Sequence, residues 1–345
     1  MNILIIKLSA IGDVVHTLPS LAALRRMFPH SHITWVIEEG AADLIAEHPH
    51  LNRVLVSRRK SWMRKPLQKS TFREVKEFLF TLRDRRYDTV IDFHGLFKSA
   101  IIAAASPGRR RIGYRSLQEL SGLFYNERIP EDMDKHAVER YLDFIRYLGW
   151  PNPPVEFLIP SPEDVKEKAR HLLASSGITP ERDPFIAINP MALWPTKLWR
   201  EEGFARLTEM IGERLNLPVV FTGGIEEALY IRHIASLMKH PVIDLTGKTT
   251  LRVLAEIYRH AKLLVSTDSG PMHIAAAVGT PVVALFGPTD PRRTGPYGRG
   301  HEVIRAGVPC SPCFLKSCHS RVCMTSISVE EVFSRVEKII QRKEA

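Results

Sequence analysis

The chain is predicted to be an α/β protein of two Rossmann-like domains with mostly parallel sheets, and three observations predict it. Apolar runs rich in Ile, Val and Leu recur along both halves, as strands buried on both faces of a parallel sheet require. Segments of helical spacing separate them, which is the alternation of parallel α/β units. Five prolines (Pro151, Pro153, Pro154, Pro160 and Pro162) crowd between two such stretches and mark a linker. With 345 residues the chain also exceeds what one hydrophobic core commonly spans. We expect residues 1–155 and 156–325 to form the two domains. A last helix near 328–342, within a tail 326–345, could return to the first domain.

Residues 3–8 (ILIIKL) predict the first strand, and the chain start reads as that strand, not as a secretory leader. Val14, Leu18, Leu21 and Leu24 then recur at helical spacing, and 32–37 (HITWVI) predicts a second strand. Residues 87–93 (YDTVIDF) predict another, with helical periodicity at 72–86 and 137–148. Beyond the prolines, strands are expected at 185–189, 218–222, 242–245, 262–267 and 281–286. No apolar run reaches the roughly 18 residues of a membrane span, so the expected location is the cytoplasm.

Charge is unevenly placed. Between Arg53 and Arg115 stand 17 Lys and Arg against 5 Asp and Glu, in a chain whose formal net charge is +10. Such a field suits an anionic partner: nucleic acid, an acidic membrane or a phosphorylated substrate. A merely solvated basic face fits as well. Among these cations Trp62 and Phe72 are too few to form the aromatic stacking platform of a single-strand binder, so no nucleic-acid partner is expected.

In open parallel sheets, ligands bind beyond the carboxyl ends of the strands. Four polar clusters fall there: Ser9 to Asp13, Pro190 to Trp199 with Thr196 and Lys197, Gly223 to Glu226, and Asp268 to His273. Together they outline one cleft if the two sheets face each other. Ser9–Asp13 lacks both the G-x-G-x-x-G of a dinucleotide fold and the P-loop lysine, which argues against dehydrogenases and ATPases. Asp13 reads as a helix-start carboxylate favoured by the macrodipole or as a catalytic group. In STDSGPMH (266–273) the Ser269 and Gly270 amides would open a helix toward an anion; Asp268 suits sugar hydroxyls, and Lys197 suits a diphosphate. A capped turn with a buried His273 and a surface lysine are the plain alternatives. Cys310, Cys313, Cys318 and Cys323 lie in one stretch. Four thiols could hold a structural zinc, although their spacing is not that of two knuckles; unreactive loop thiols are the other reading.

KLSAIGDVVHTLP at 7–19 and STDSGPMHIAAAVGTPVVALFGPTDP at 266–291 resemble the ADP-heptose–lipopolysaccharide heptosyltransferases of glycosyltransferase family 9. WVIEEG (35–40), VIDFHGLFKSA (90–100), LFYNERI (123–129) and HAVER (136–140) are most similar to the members that add the first heptose. The resemblance covers nearly the whole chain. It implies the two-domain GT-B fold with sheets facing a central cleft, an ADP-heptose donor, and Kdo of Kdo-lipid A as acceptor at the cytoplasmic face of the inner membrane. It further implies inverting displacement with no required cofactor. By the same resemblance Asp13 is the general base, while Thr196, Lys197, Glu226, Asp268, Ser269, Gly270 and His273 bind the donor. Ser9, Gly12, Arg58, Arg59, Arg64 and Lys65 bind the acceptor. The family often carries Ser-Ser where this chain has Ser9-Ala10, so one hydroxyl near the base is missing. A transferase adding a later core heptose and a nucleotide-sugar epimerase are the rival readings.

Overall fold

The computed structural model describes residues 1–115 and 118–344. It divides into two compact units, Met1–Pro160 and Ser161–Ala345, with the change of unit inside the proline-rich segment.

In the first unit, β1 (Asn2–Ile6), β2 (His32–Glu38), β3 (Arg53–Ser57), β4 (Tyr87–Asp92), β5 (Gly108–Tyr114) and β6 (Glu127–Ile129) form one parallel sheet in the order β3-β2-β1-β4-β5-β6. The helices are α1 (Ile11–Met27), α2 (Glu39–Ala42), α3 (Arg59–Arg64), α4 (Lys69–Arg83), α5 (Phe97–Ala105) and α6 (Ala137–Tyr147). α1 packs on α6. Leu4, Ile6 and Leu8, which alternate to one side of the first strand, share a core with Phe78 and Leu82 of α4 and with Ala100 and Ala103 of α5. Because strand side chains alternate between faces, that shared core places α4 and α5 on the same face of the sheet.

The second unit repeats the topology. β7 (Ile186–Asn189), β8 (Val219–Phe221), β9 (Ile243–Asp244), β10 (Leu263–Thr267), β11 (Val282–Phe286) and β12 (Glu302–Arg305) are again parallel, in the order β12-β11-β10-β7-β8-β9. Counted within its unit, this is the same 3-2-1-4-5-6 arrangement, the dinucleotide-fold order. Its helices are α7 (Glu163–Ala174), α8 (Glu201–Leu215), α9 (Ala228–Ser236), α10 (Leu251–His260), α11 (Gly270–Ala277), α12 (Pro291–Thr294), α13 (Val322–Thr325) and α14 (Val329–Glu344).

The sequence left open a return of the terminal helix to the first domain. The structure shows its apolar stripe in use in the second: Val332, Phe333, Val336 and Ile339 are buried in one core with Leu207 and Ile211 of α8. Strands β3, β5, β6 and β12 were not expected. β5 begins Gly-Arg-Arg-Arg, with Arg109 and Arg110 exposed, and becomes buried only from Ile112, so its apolar alternation is too short to read. Among the described residues no helix is long and apolar enough to cross a membrane.

Candidate functional site

Both sheets reverse strand order at one point, where crossovers leave in opposite directions and a crevice opens. In the first unit that point lies between β1 and β4, and the loop after β1 carries Ser9 to Asp13. Asp13 stands in the first turn of α1. Its Oδ2 accepts from the Ala10 backbone N–H at 3.2 Å, so the expected helix-start role is real. Its Oδ1 accepts from the Tyr141 hydroxyl at 3.0 Å. Beneath them lies Lys7, whose side chain is 3% exposed and whose Nζ is 4.0 Å from Asp13 Oδ2. Lys7 Nζ donates to Tyr141 Oη at 2.6 Å and to the Phe93 carbonyl at 3.1 Å. The result is a directed chain, ammonium to phenol to carboxylate.

Asp13 keeps 39% of its side chain exposed. Each carboxylate oxygen has two lone-pair directions, so after one bond to each oxygen both retain one toward solvent. Desolvation raises the Asp13 pKa, but the Lys7 charge, the Ala10 amide, His94 and Tyr141 outweigh it and hold the group below the ordinary carboxylate range. Burial lowers the Lys7 pKa, opposed by Asp13 and Asp92. At neutral pH Asp13 is therefore a partly exposed anion.

Around it stand further polar groups. Lys98 Nζ donates to Ser9 Oγ at 3.4 Å. His94 has both ring nitrogens buried without a hydrogen-bond partner. Its pKa falls to about 3, chiefly through burial, helped by the Lys7 and Lys98 charges. At the end of β2, Glu38 receives Arg59 Nε at 3.0 Å and lies 3.7 Å from Lys60. Arg58 pairs loosely with Glu39 at 3.3 Å, both side chains being more than half exposed. Arg64 and Lys65 are exposed.

In the second unit the reversal lies between β7 and β10, and it gathers two of the three expected donor clusters. Lys197 Nζ is 2.7 Å from Asp268 Oδ2, with the side chains 16% and 5% exposed. Thr289 donates to the same Asp268 oxygen at 2.6 Å, and the Lys197 ammonium lies 4.6 Å from the Trp194 ring centroid. Thr196 is buried and its hydroxyl donates to the Leu315 carbonyl at 2.8 Å. Ser269 precedes α11 with no side-chain cap bond, and Pro271, which has no N–H, follows in the first turn. His273 is buried within α11. In the Gly-Gly-Ile-Glu-Glu turn, Glu226 is exposed, while Glu227 accepts from the Gly224 N–H at 2.6 Å and is raised in pKa by burial.

The glycosyltransferase family 9 (heptosyltransferase) model matches residues 75–323, most of the chain. The chain belongs to that family. The lipopolysaccharide heptosyltransferase 1 of Pseudomonas aeruginosa is 31% identical over 327 residues, 92% of this transferase and 87% of the relative. Among solved structures, a family 9 glycosyl transferase from Veillonella parvula superposes with a TM-score of 0.87 at 28% identity, covering 99% of this chain and 97% of that one. The E. coli heptosyltransferase WaaC with ADP gives 0.80 at 26% identity, covering 98% and 100%. The transferase thus has the two Rossmann-like domains of the GT-B heptosyltransferases.

Of the two readings of the four cysteines, the zinc reading gains no support from the structure. Among the described residues no three His, Cys, Asp or Glu side chains could hold a metal ion. Cys310 and Cys318 are exposed, Cys313 is intermediate and Cys323 is buried, all as free thiols. Cys323 packs as an apolar side chain in the core with Met324 and Ile327, and a Cβ on Gly287 would lie 3.1 Å from its sulfur. Sequence reasoning also missed Lys7, His94, Lys98 and Tyr141 in the transferase's first unit. Three of them lie inside the segments that carry the family resemblance; Tyr141 directly follows HAVER. What was lacking was a signal that Tyr141, 128 positions from Asp13, would meet it.

Proposed function

We propose that this glycosyltransferase moves L-glycero-D-manno-heptose from ADP-heptose to the Kdo of Kdo-lipid A, with inversion, at the cytoplasmic face of the inner membrane. The observation that carries the reading is Asp13: a half-open carboxylate held ionised at the strand-order reversal of a family 9 sheet. An acceptor hydroxyl donates its proton to a free lone pair of Asp13 as its oxygen bonds the anomeric carbon and the bond to ADP breaks. A base held below the usual range pulls weakly on a free hydroxyl, so proton transfer runs late, alongside carbon–oxygen bond formation. Lys7 and Tyr141 keep the carboxylate charged and fixed in direction, which is positioning rather than proton abstraction.

The donor belongs to the second unit in this reading. Lys197 and the amides at Ser269–Gly270 meet the charge gathering on the departing ADP. Asp268 fixes Lys197 through Oδ2 and offers its other oxygen to a sugar hydroxyl; Glu226 adds a second carboxylate for the sugar. Thr196, committed to Leu315, anchors the turn that presents Lys197. In the first unit, Ser9, Gly12 and the Arg58–Lys65 segment receive the anionic acceptor, with Arg64 and Lys65 available to phosphate. A 31% identical relative named heptosyltransferase 1 supports the first-heptose assignment.

The test is ADP release from ADP-heptose with and without Kdo-lipid A. Acceptor-dependent release, lost in Asp13→Ala, is the expected result. Release only with an already heptosylated acceptor would move the enzyme to a later core heptose. Sugar isomerisation without acceptor would replace transfer by epimerisation.

A further inference from the structure

We infer that the outward face of α4 and α5 docks this enzyme on an anionic bilayer surface. The inference rests on the proposed lipid-borne acceptor and adds the element that meets the membrane. α4 has two apolar stripes, where a surface helix needs one. Phe78 and Leu82 turn into the sheet core. Phe72, Leu79 and Phe80, at i, i+7 and i+8, face solvent, 64%, 38% and 76% exposed. α5 repeats the pattern: Ala100 and Ala103 face inward, while Phe97 and Ile101 are 44% and 45% exposed. Single exposed hydrophobes are ordinary. Here they recur at helical spacing on two helices covering the same face of one sheet, and an exposed apolar face of that kind marks a contact surface.

The second unit supplies an internal control. α10 occupies there the place of α4, entering the fourth strand of the same topology. It packs against α7, and its residues Val253 to Tyr258 are all buried. The corresponding helix of the first unit keeps Phe72, Leu79 and Phe80 exposed.

Charge selects the occupant. From Arg58 to Arg86 there are 11 Lys and Arg against 3 Asp and Glu, so Lys69, Arg73, Lys76 and Arg83 accompany the apolar stripe of α4. Aromatic side chains among cations on an amphipathic helix suit the headgroup layer of an anionic membrane. A second copy would set the same positive field against itself. The face is also continuous with the proposed acceptor segment: α3 carries Arg59, tied to Glu38, and Trp62 of α3 donates to Glu74 of α4 at 2.9 Å. An acceptor whose acyl chains lie in the bilayer then presents its sugar near the segment that receives it.

The experiment is co-sedimentation of the full chain with vesicles of phosphatidylcholine alone and with about one-third phosphatidylglycerol, near 0.1 M salt, where exposed charges still act over about 10 Å. The double variant Phe72→Ser/Phe80→Ser is compared with Leu237→Ser, an exposed apolar position of the second unit. We expect binding to the phosphatidylglycerol vesicles, a loss of at least about tenfold in partitioning for the double variant, and none for Leu237→Ser. Turnover on a Kdo acceptor lacking acyl chains should be unchanged in the double variant, which also reports that it is folded. Wild-type protein that binds while the double variant binds equally would overturn the docking face and leave the membrane location standing. Wild-type protein that binds no vesicle would overturn both. A wild-type dimer that becomes monomeric in the double variant would assign the face to a second copy instead.

Discussion

The two units share one strand order, yet the carboxylates at their reversal points are held in opposite ways. Asp268 is almost wholly buried and in contact with Lys197 at 2.7 Å. Asp13 is 39% exposed, its nearest ammonium is 4.0 Å away and buried, and a phenol stands between. A cation in direct contact, joined by the Thr289 hydroxyl, occupies one carboxylate oxygen, Asp268 Oδ2. A cation one residue removed keeps the carboxylate charged and leaves its lone pairs open. The same fold thus fixes one charge and presents another, and what decides between them is the distance of the cation and access to water.

The largest test of that contrast is Asp13→Asn. Turnover should fall about 10²–10⁴-fold, with some loss of melting temperature because the buried Lys7 loses the charge beside it; turnover within a few-fold of wild type would remove Asp13 from the base role. Lys197→Met strikes the other arrangement. It leaves Asp268 buried with Thr289 but without its cation, and should cost about 3 kcal/mol in urea unfolding besides lowering turnover. Asp268→Asn in that background should recover part of the stability, since no buried charge then remains unpaired. Recovery of none would mean that Lys197 and Asp268 are not energetically coupled.

Stability should also depend on pH through buried histidines of the first unit. Burial lowers His48 to about 4 and His94 to about 3, against 6.5 in an exposed ring. As pH falls from 6.5 the unfolded chain takes up these protons first. The stability they contribute is therefore complete above 6.5 and is lost on the way down to pH 4 and below. For His48 alone the ceiling is about 3 kcal/mol. Melting curves between pH 7 and 4.5 should show the slope, and His48→Gln should flatten it; an unchanged slope would show that His48 does not titrate as described. The smallest effect expected is that of Tyr141→Phe, about tenfold in kcat. Its diagnostic is the pH profile. Removing the hydroxyl takes away one of the groups that lower the Asp13 pKa, so the acidic limb should move to higher pH. A kcat loss with an unmoved limb would make Tyr141 a packing residue.

How much of this could be read beforehand follows from how local each signal is. The loop after β1 and the loop after β10 were legible because an apolar run, a glycine and a helical segment follow one another within a few residues. The family resemblance marked Asp13 and Asp268 for the same reason, since each lies inside one of the contiguous segments that carry it. The pairing of Lys197 with Asp268 joins residues 71 positions apart, and Lys7 meets Tyr141 across 134. Such contacts depend on strand order, which periodicity does not encode. The strand at Arg53–Ser57 was hidden because its ends are polar and Val56 faces water. The two readings of the cysteine stretch could not be separated beforehand for a related reason. Close spacing along the chain does not oblige thiols to point inward together, and Cys323 serves as filling beneath Gly287.

The use of α14 as a wall of the second core has a consequence for biosynthesis. A chain leaving the ribosome completes the first unit once Pro160 has emerged, but the second sheet stays without Val332 to Ile339 until nearly the whole remainder has been made. At about 5–20 residues per second that interval is on the order of ten seconds or more. For its duration Leu207 and Ile211 lack their cover, so the late half of the nascent enzyme is the part most in need of shielding by a chaperone.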